Sequence, residues 1–177
     1  MFAIATCILP ENALLKVYQQ NGAFTDCYFV DIAVEISHRQ YVEAFYTTWL
    51  FKLERILLTW LVSKPSTDEQ VVQLATAQID VFAAWRVERR CDKQILLCDY
   101  QNRTRSWLMI ESIESEKGKF TRLYFGSAVV PVNTNSAGEG SFVFAFKALS
   151  WFHKVYSAGL LRAATSRIMR INNEISS

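Results

Sequence analysis

The chain has 177 residues, 51% of them hydrophobic and 20% charged, with a net charge of +2. It is long enough to bury a core and too apolar for intrinsic disorder. A charge this close to zero argues against a whole-surface nucleic-acid binder, and the four cysteines, Cys7, Cys27, Cys91 and Cys98, have neither CxxC nor zinc spacing.

From the N-terminus, Met1 to Leu9 is apolar but lacks a basic leader, and Pro10 interrupts it before it could span a bilayer. With no secretory signal, the cysteines read as reduced thiols in a cytoplasm. Pro10 to Gln20 predicts a short helix closed by Asn21-Gly22. Tyr28 to Ile36 alternates, with Tyr28, Val30, Ile32, Val34 and Ile36 on one side of a strand. Ser37 and Gln40 form a capping box ahead of a helix carrying Tyr41, Ala44 and Phe45. A bend at Thr47-Thr48 leads to a second helix, Phe51 to Val62, stopped by Pro65, and a third follows from Asp68 to Ala77.

Four strands come next, Val81–Arg90, Ile95–Tyr100, Arg105–Glu114 and Phe120–Val132. Their short polar breaks allow only antiparallel neighbours. Turns centred on Asp92-Lys93, Asn102-Arg103 and Lys117-Gly118 set the register. Trp85, Val87, Cys98, Tyr100, Arg105, Trp107, Met109, Glu111, Arg122 and Tyr124 then share an aromatic face with embedded charges. Phe82, Arg86, Leu97, Asp99, Leu108, Ile110, Leu123 and Phe125 share an aliphatic one, with Arg86 opposite Asp99. Neither face is purely polar. Either the sheet is covered on both sides, by the helices of residues 38–77 among others, or it meets a second copy in a homodimer.

After a polar loop, Phe142 to about Ile171 predicts one long helix. Its apolar stripe runs through Phe146, Leu149, Phe152, Tyr156 and Leu160. Five basic residues against Glu174 give the stretch from Phe142 a charge of +4 and leave −2 elsewhere. The fold class is therefore α+β: an antiparallel sheet wrapped around a long C-terminal helix, with an N-terminal strand followed by a helix pair. One domain is expected over residues 1–177, with 1–23 as an N-terminal extension.

This order of elements, with the runs Phe45-Tyr46-Thr47-Thr48, Ala83-Ala84-Trp85-Arg86-Val87, Arg105-Ser106-Trp107-Leu108-Met109 and Leu123-Tyr124-Phe125-Gly126, resembles the helix-grip START-like and polyketide-cyclase-like superfamily, in a bacterial branch. The resemblance implies an apolar small molecule held between sheet and long helix. A helix-grip domain has six strands after the helix pair and only four are legible here.

No nucleophile elbow, P-loop, Rossmann glycine pattern or zinc-protease motif occurs, and no cofactor or metal is expected. His38 and His153, the only histidines, have no ligand partner at helical spacing and read as structural. The candidate ligand-binding residues are Trp85, Tyr100, Arg105, Trp107, Met109, Glu111 and Tyr124 on the sheet, with Phe152 and Tyr156 on the helix. Arg105 and Glu111 would supply the polar contacts in an otherwise apolar pocket. A cyclase- or isomerase-like enzyme using the Arg–Glu–Tyr group is an alternative. So is an interaction module using the basic, aromatic last helix. No catalytic residue is assigned, and neither nucleic-acid binding nor stable membrane insertion is expected.

Overall fold

The computed structural model describes residues 3–52, 66–115, 118–130 and 139–176, and the side chains of the last stretch from 156 to 174. Most of the expected helix Phe51–Val62 and the side chain of Phe152 lie outside the described residues.

Seven strands form one antiparallel sheet. They are β1 (Ala5–Thr6), β2 (Phe24–Ile32), β3 (Val81–Phe82), β4 (Trp85–Cys91), β5 (Gln94–Asp99), β6 (Thr104–Ser115) and β7 (Gly118–Val129), in the spatial order β1-β2-β7-β6-β5-β4-β3. The helices are α1 (Lys16–Gln20), α2 (His38–Tyr46), α3 (Asp68–Ala75) and α4 (Glu139–Ser176). Strands β3 to β7 are the expected meander. β2 pairs along its whole length with β7, the last strand of that meander. The chain from β2 to β3 must therefore cross the width of the sheet. It does so over the aliphatic face: α2 packs on β6, and α3 packs on β3.

Local sequence explains the helix starts. Ser37 and Gln40 form the expected capping box, and Thr67 and Gln70 form a second one at α3. Tyr41, Val42, Ala44, Phe45 and Tyr46 turn inward from α2. Phe45 lies 5.0 Å from the Phe125 ring, and Tyr46 meets Phe51 and Phe82 at 4.7 and 5.7 Å. Leu97, Leu108, Ile110 and Leu123 complete this core from the sheet, while Leu160, Leu161, Ala164 and Ile168 enter it from α4. α4 also packs against α2, β2 and β7. One polar tie helps to place it: Asp26 accepts from the Ser127 amide at 2.9 Å and from Ser157 of α4 at 3.5 Å. Among the described residues no helix is long and apolar enough to cross a membrane.

Two strand boundaries differ from expectation. The strand expected at Tyr28–Ile36 is Phe24–Ile32. Tyr28, Val30 and Ile32 do share the buried side, but the ladder stops there. The Thr121 hydroxyl donates to the Val34 carbonyl at 2.7 Å and accepts from the Ile36 amide at 3.3 Å, replacing the next strand bonds. The single strand expected at Val81–Arg90 is instead a hairpin, β3 and β4, turning at Ala83-Ala84 with Ala83 at φ 52°. Neither alanine is a turn-forming residue by preference. The turn puts Phe82, 1% exposed, opposite Trp85 in the helix-side core.

The other face of the sheet is covered by residues of the N-terminal extension. Leu9, Ala13 and Leu15 lie buried against Leu96, Trp107, Met109, Tyr124 and Ala128. Gly126 makes this approach possible. A Cβ there would come within 2.9 Å of both the Asp26 carbonyl oxygen and the Trp107 ring, and 3.0 Å of Leu15. Gly126→Ala should therefore cost about 1–3 kcal/mol, the usual range for overpacking. Urea unfolding measures it; wild-type stability in the variant would mean that the N-terminal segment does not lie on this face.

Candidate functional site

The aromatic face is a filled surface. Trp107, fully buried, tilts against Tyr124 with ring centres 6.0 Å apart, and Met109 lies beside them. The Trp107 indole donates to Gln94 Oε1 at 2.9 Å. That oxygen also accepts from the Leu14 amide at 3.0 Å, and Gln94 Nε2 donates to the Asn12 carbonyl at 3.0 Å. One buried amide thus holds the covering segment to the sheet.

Beside this cluster lies an ionic one. Arg105, 8% exposed, donates through Nε to the Tyr18 hydroxyl and is ion-paired with Glu88 Oε2, each at 2.7 Å, and its guanidinium sits 4.6 Å from the centre of the Tyr18 ring. Tyr18 donates in turn to Glu88. Burial opposes the Arg105 charge, but the Tyr18 oxygen and Glu88 outweigh it and hold its pKa above the ordinary value. Burial, then the bond to Glu88, raises the Tyr18 hydroxyl. Glu111 is exposed and accepts from Tyr124 at 2.8 Å; burial and that bond push Tyr124 up to about 12. Arg122 is held by Asp31 at 2.6 and 2.8 Å. Every charged group of the expected constellation already has a partner.

Arg105, Trp107, Met109, Glu111 and Tyr124 share a face, as the register predicts. The remaining candidates do not join them. Trp85 packs with Val87 on the helix side. The cause is a bulge: Cys91 pairs with Gln94 as expected, but the register shifts between Val87 and Arg89, so Trp85 faces Asp99 and Arg86 faces Cys98. One extra residue reverses every side chain beyond it. The expected Arg86–Asp99 pair is therefore absent. Asp99 instead accepts from the amides of Arg103 and Thr104, and Arg86 donates to Asn102 at 3.1 Å. Tyr100 lies in a turn, 50% exposed. Tyr156 packs with the helix-side core. The long helix and the aromatic face thus lie on opposite sides of the sheet.

A cleft opens on the helix side. It measures about 1020 Å³ and lies between residues 47–52 and α4. The expected bend forms one wall. The Thr47 hydroxyl donates back to the Glu43 carbonyl at 2.6 Å, ending α2, and the Thr48 hydroxyl accepts from the Phe51 amide at 3.2 Å, starting the next helical turn. Phe51 then enters the core, while Trp49 is left 72% exposed at the rim and Leu50 lines the cleft. Tyr156, Gly159, Ala163 and Ser166 form the α4 wall at helical spacing, flanked by Arg162, Arg167 and Arg170. Leu50 lies 3.5 Å from where a Gly159 Cβ would stand. Arg170 forms a long pair, 4.0 Å, with Glu174, and the Arg167 Nε atom is buried without a hydrogen-bond partner. Lys52 at the edge is paired with Asp68. A smaller cleft of about 430 Å³, lined by Ile36, Glu43, Asp68 and Ile171 among others, also reaches Arg167.

Sequence reasoning missed Glu88, Tyr18 and Gln94, which no motif marks, and it gave the arginines of α4 a role only in the alternative interaction surface. Their common signal was the basic excess of the last helix. Among the described residues no group of three His, Cys, Asp or Glu side chains could hold a metal ion. The chain is an α+β protein whose antiparallel sheet and packed C-terminal helix are compatible with a helix-grip fold. No family model matches it, and no curated protein matches it.

His38, the first residue of α2, has a structural signature. Burial lowers its pKa to about 4; a bond to the Leu108 backbone opposes this and Arg90 adds to it. Its Nε2 atom is buried with no partner to accept a proton's bond. The folded value lies below the unfolded 6.5, so the unfolded chain binds the extra proton as pH falls from about 6.5 to 4. Stability is fully present above that window and is lost through it, by up to about 3 kcal/mol. Thermal melts across this range should show the loss, and His38→Gln should flatten it. An equal slope in the variant would assign the effect to other groups.

Proposed function

We propose that the protein binds a small amphipathic anion, an apolar or aromatic body with one acidic head group, in the cleft between residues 47–52 and α4. The observation that carries this reading is the combination of an apolar wall with an arginine atom that is buried and unsatisfied. Trp49, Leu50, Tyr156 and Ala163 offer the apolar surface. Arg167 lacks a bond at Nε, and Arg162 stands exposed beside it. Small-molecule sites are typically apolar concavities with a few convergent polar groups. A carboxylate or phosphate is the partner a guanidinium fork fits best. The helix-grip resemblance agrees with an apolar ligand carried beside the long helix, though on the side away from the aromatic strand residues.

The enzyme alternative has little to recommend it, since Arg105, Glu111 and Tyr124 are already engaged by their neighbours. The interaction alternative uses the same arginines and the exposed Trp49, with an acidic peptide as occupant. In either case we place its action in the cytoplasm.

Dodecanoate and dodecanol separate these readings. Dodecanoate at a hundred times its Kd should stabilise the fold by about 2.7 kcal/mol, with a change in Trp49 fluorescence. Arg162→Glu should weaken it tenfold or more, as expected when a charge-assisted bond worth about 1.5–3 kcal/mol is lost. Gly159→Leu, which puts a side chain into the cleft, should abolish binding without unfolding the chain. Equal affinity for dodecanol, or no effect of Arg162→Glu, refutes the anion site. A response to an acidic peptide alone favours the interaction role.

A further inference from the structure

We propose that Cys7 and Cys27 are a redox modification site, a dithiol that closes reversibly into a disulfide and fastens the N-terminal segment to the sheet. The argument begins with register. Ala5 faces Phe29 and Thr6 faces Tyr28, so the next residue, Cys7, falls opposite Cys27. The Cys7 amide donates to the Cys27 carbonyl at 3.0 Å, which continues the ladder by one pair. Residues paired in this way have Cα atoms about 5.5 Å apart, within the range that a disulfide requires. The two sulfurs already lie 2.8 Å apart, one thiol bonded to the other. This spacing suits closure of the bond by side-chain rotation.

The two thiols are unequal. Cys7 is partly exposed, next to Ile8 at 85% exposure, whereas Cys27 is 4% exposed beneath the segment. The bond from Cys27 holds the Cys7 pKa down against its own burial, with help from Arg122. The same bond and burial raise Cys27 far above the ordinary thiol value. Attack therefore starts at Cys7. Its thiolate takes one sulfur of glutathione disulfide and releases a glutathione thiolate. Cys27 then gives up its proton, attacks the Cys7 sulfur of the mixed disulfide and releases the second glutathione. The protein loses two electrons and two protons, and glutathione disulfide gains them to become two glutathione thiols.

The link would matter because β1 is only two residues long and the segment after it covers Trp107, Met109 and Tyr124. The segment is otherwise held by noncovalent contacts, those of buried Leu9, Ala13 and Leu15 and the bonds of Tyr18 and Gln94, and the link adds a covalent tie at its start. The other two cysteines cannot substitute: Cys91 is exposed in β4, and Cys98 is buried and bonded to Asn102 at 3.1 Å.

The test uses the full-length chain with Cys91→Ser to remove the exposed thiol. Equilibration in glutathione buffers of graded ratio, acid quenching and peptide mass mapping read the Cys7–Cys27 link. We expect half-oxidation within the range a glutathione buffer can poise, and a melting temperature about 5–10 °C higher for the closed form. Cys27→Ser should stop at a mixed disulfide on Cys7, and Cys7→Ser should leave Cys27 unmodified, with circular dichroism showing both variants folded. No linked peptide under excess glutathione disulfide overturns the proposal. So does a link that glutathione cannot reopen, which would be a permanent staple, or equal modification of Cys27 in the Cys7→Ser chain.

Discussion

The structure depends on the placement of one surplus residue. At Glu88 the strand β4 carries two residues against one on β5, and from that point its inward and outward sides exchange. Trp85 and Val87 consequently feed the core beneath α2 and α3, where large apolar side chains are needed. Glu88 itself reaches the opposite side, where Arg105 requires an anion. Without the shift, a carboxylate partner would be missing from a nearly buried guanidinium, and a buried charge left unpaired is costly. The bulge thus serves both faces of the sheet together.

That residue also marks the limit of what the sequence discloses. The longer strands, the two capped helices and the antiparallel order of the meander were legible because each is written in local periodicity or in a polar break, whereas the two-residue strands β1 and β3 were not. After β5 and β6 the pairing is offset by two residues from the expected register: Cys98 faces Arg105 and not Trp107, and Ser115 faces Gly118 and not Phe120. An error of two preserves the period of a strand, so Trp107, Met109 and Tyr124 stayed together. The bulge is an error of one, which inverts it, and nothing in Val87-Glu88-Arg89 announces it. Likewise the hairpin at Ala83-Ala84 lacks Gly, Asn or Pro, and only the burial of Phe82 and Trp85 accounts for it. The cover over the aromatic face was invisible for another reason. Leu9, Ala13 and Leu15 carry no strong pattern, and their role arises from contacts some eighty residues away, such as that between Leu14 and Gln94. The candidate site suffered accordingly: Arg105, Trp107, Met109, Glu111 and Tyr124 were grouped together, but Trp85 and the helix lay on the other face and Tyr100 in a turn.

The two sides of α4 show a division of work. Leu160, Leu161, Ala164 and Ile168 are committed to the core, and their packing fixes the helix on β2 and α2. The intervening turns present Arg162, Arg167 and Arg170 outward beside Tyr156 and Gly159. A glycine on this wall lets the turn at residues 49–52 come close without filling the space between. The charge excess of the last helix, which composition alone would assign to a solvated surface, is thereby concentrated along one opening.

The sheet's two outermost strands, β1 and β3, have two residues each. An open sheet is a template on which another chain can extend the hydrogen-bonded ladder, and long flat borders are where aggregation and fibril growth start. Here the outermost strand on each border is only a dipeptide. The stretch of β4 beyond β3 is bent by its bulge and carries Arg89 and Arg90, the latter drawn away to the Leu74 and Ile79 carbonyls at 3.2 and 3.1 Å. In a chain rich in aromatic and aliphatic strands, the outline of the sheet thus shortens the outermost strands on which another chain could add.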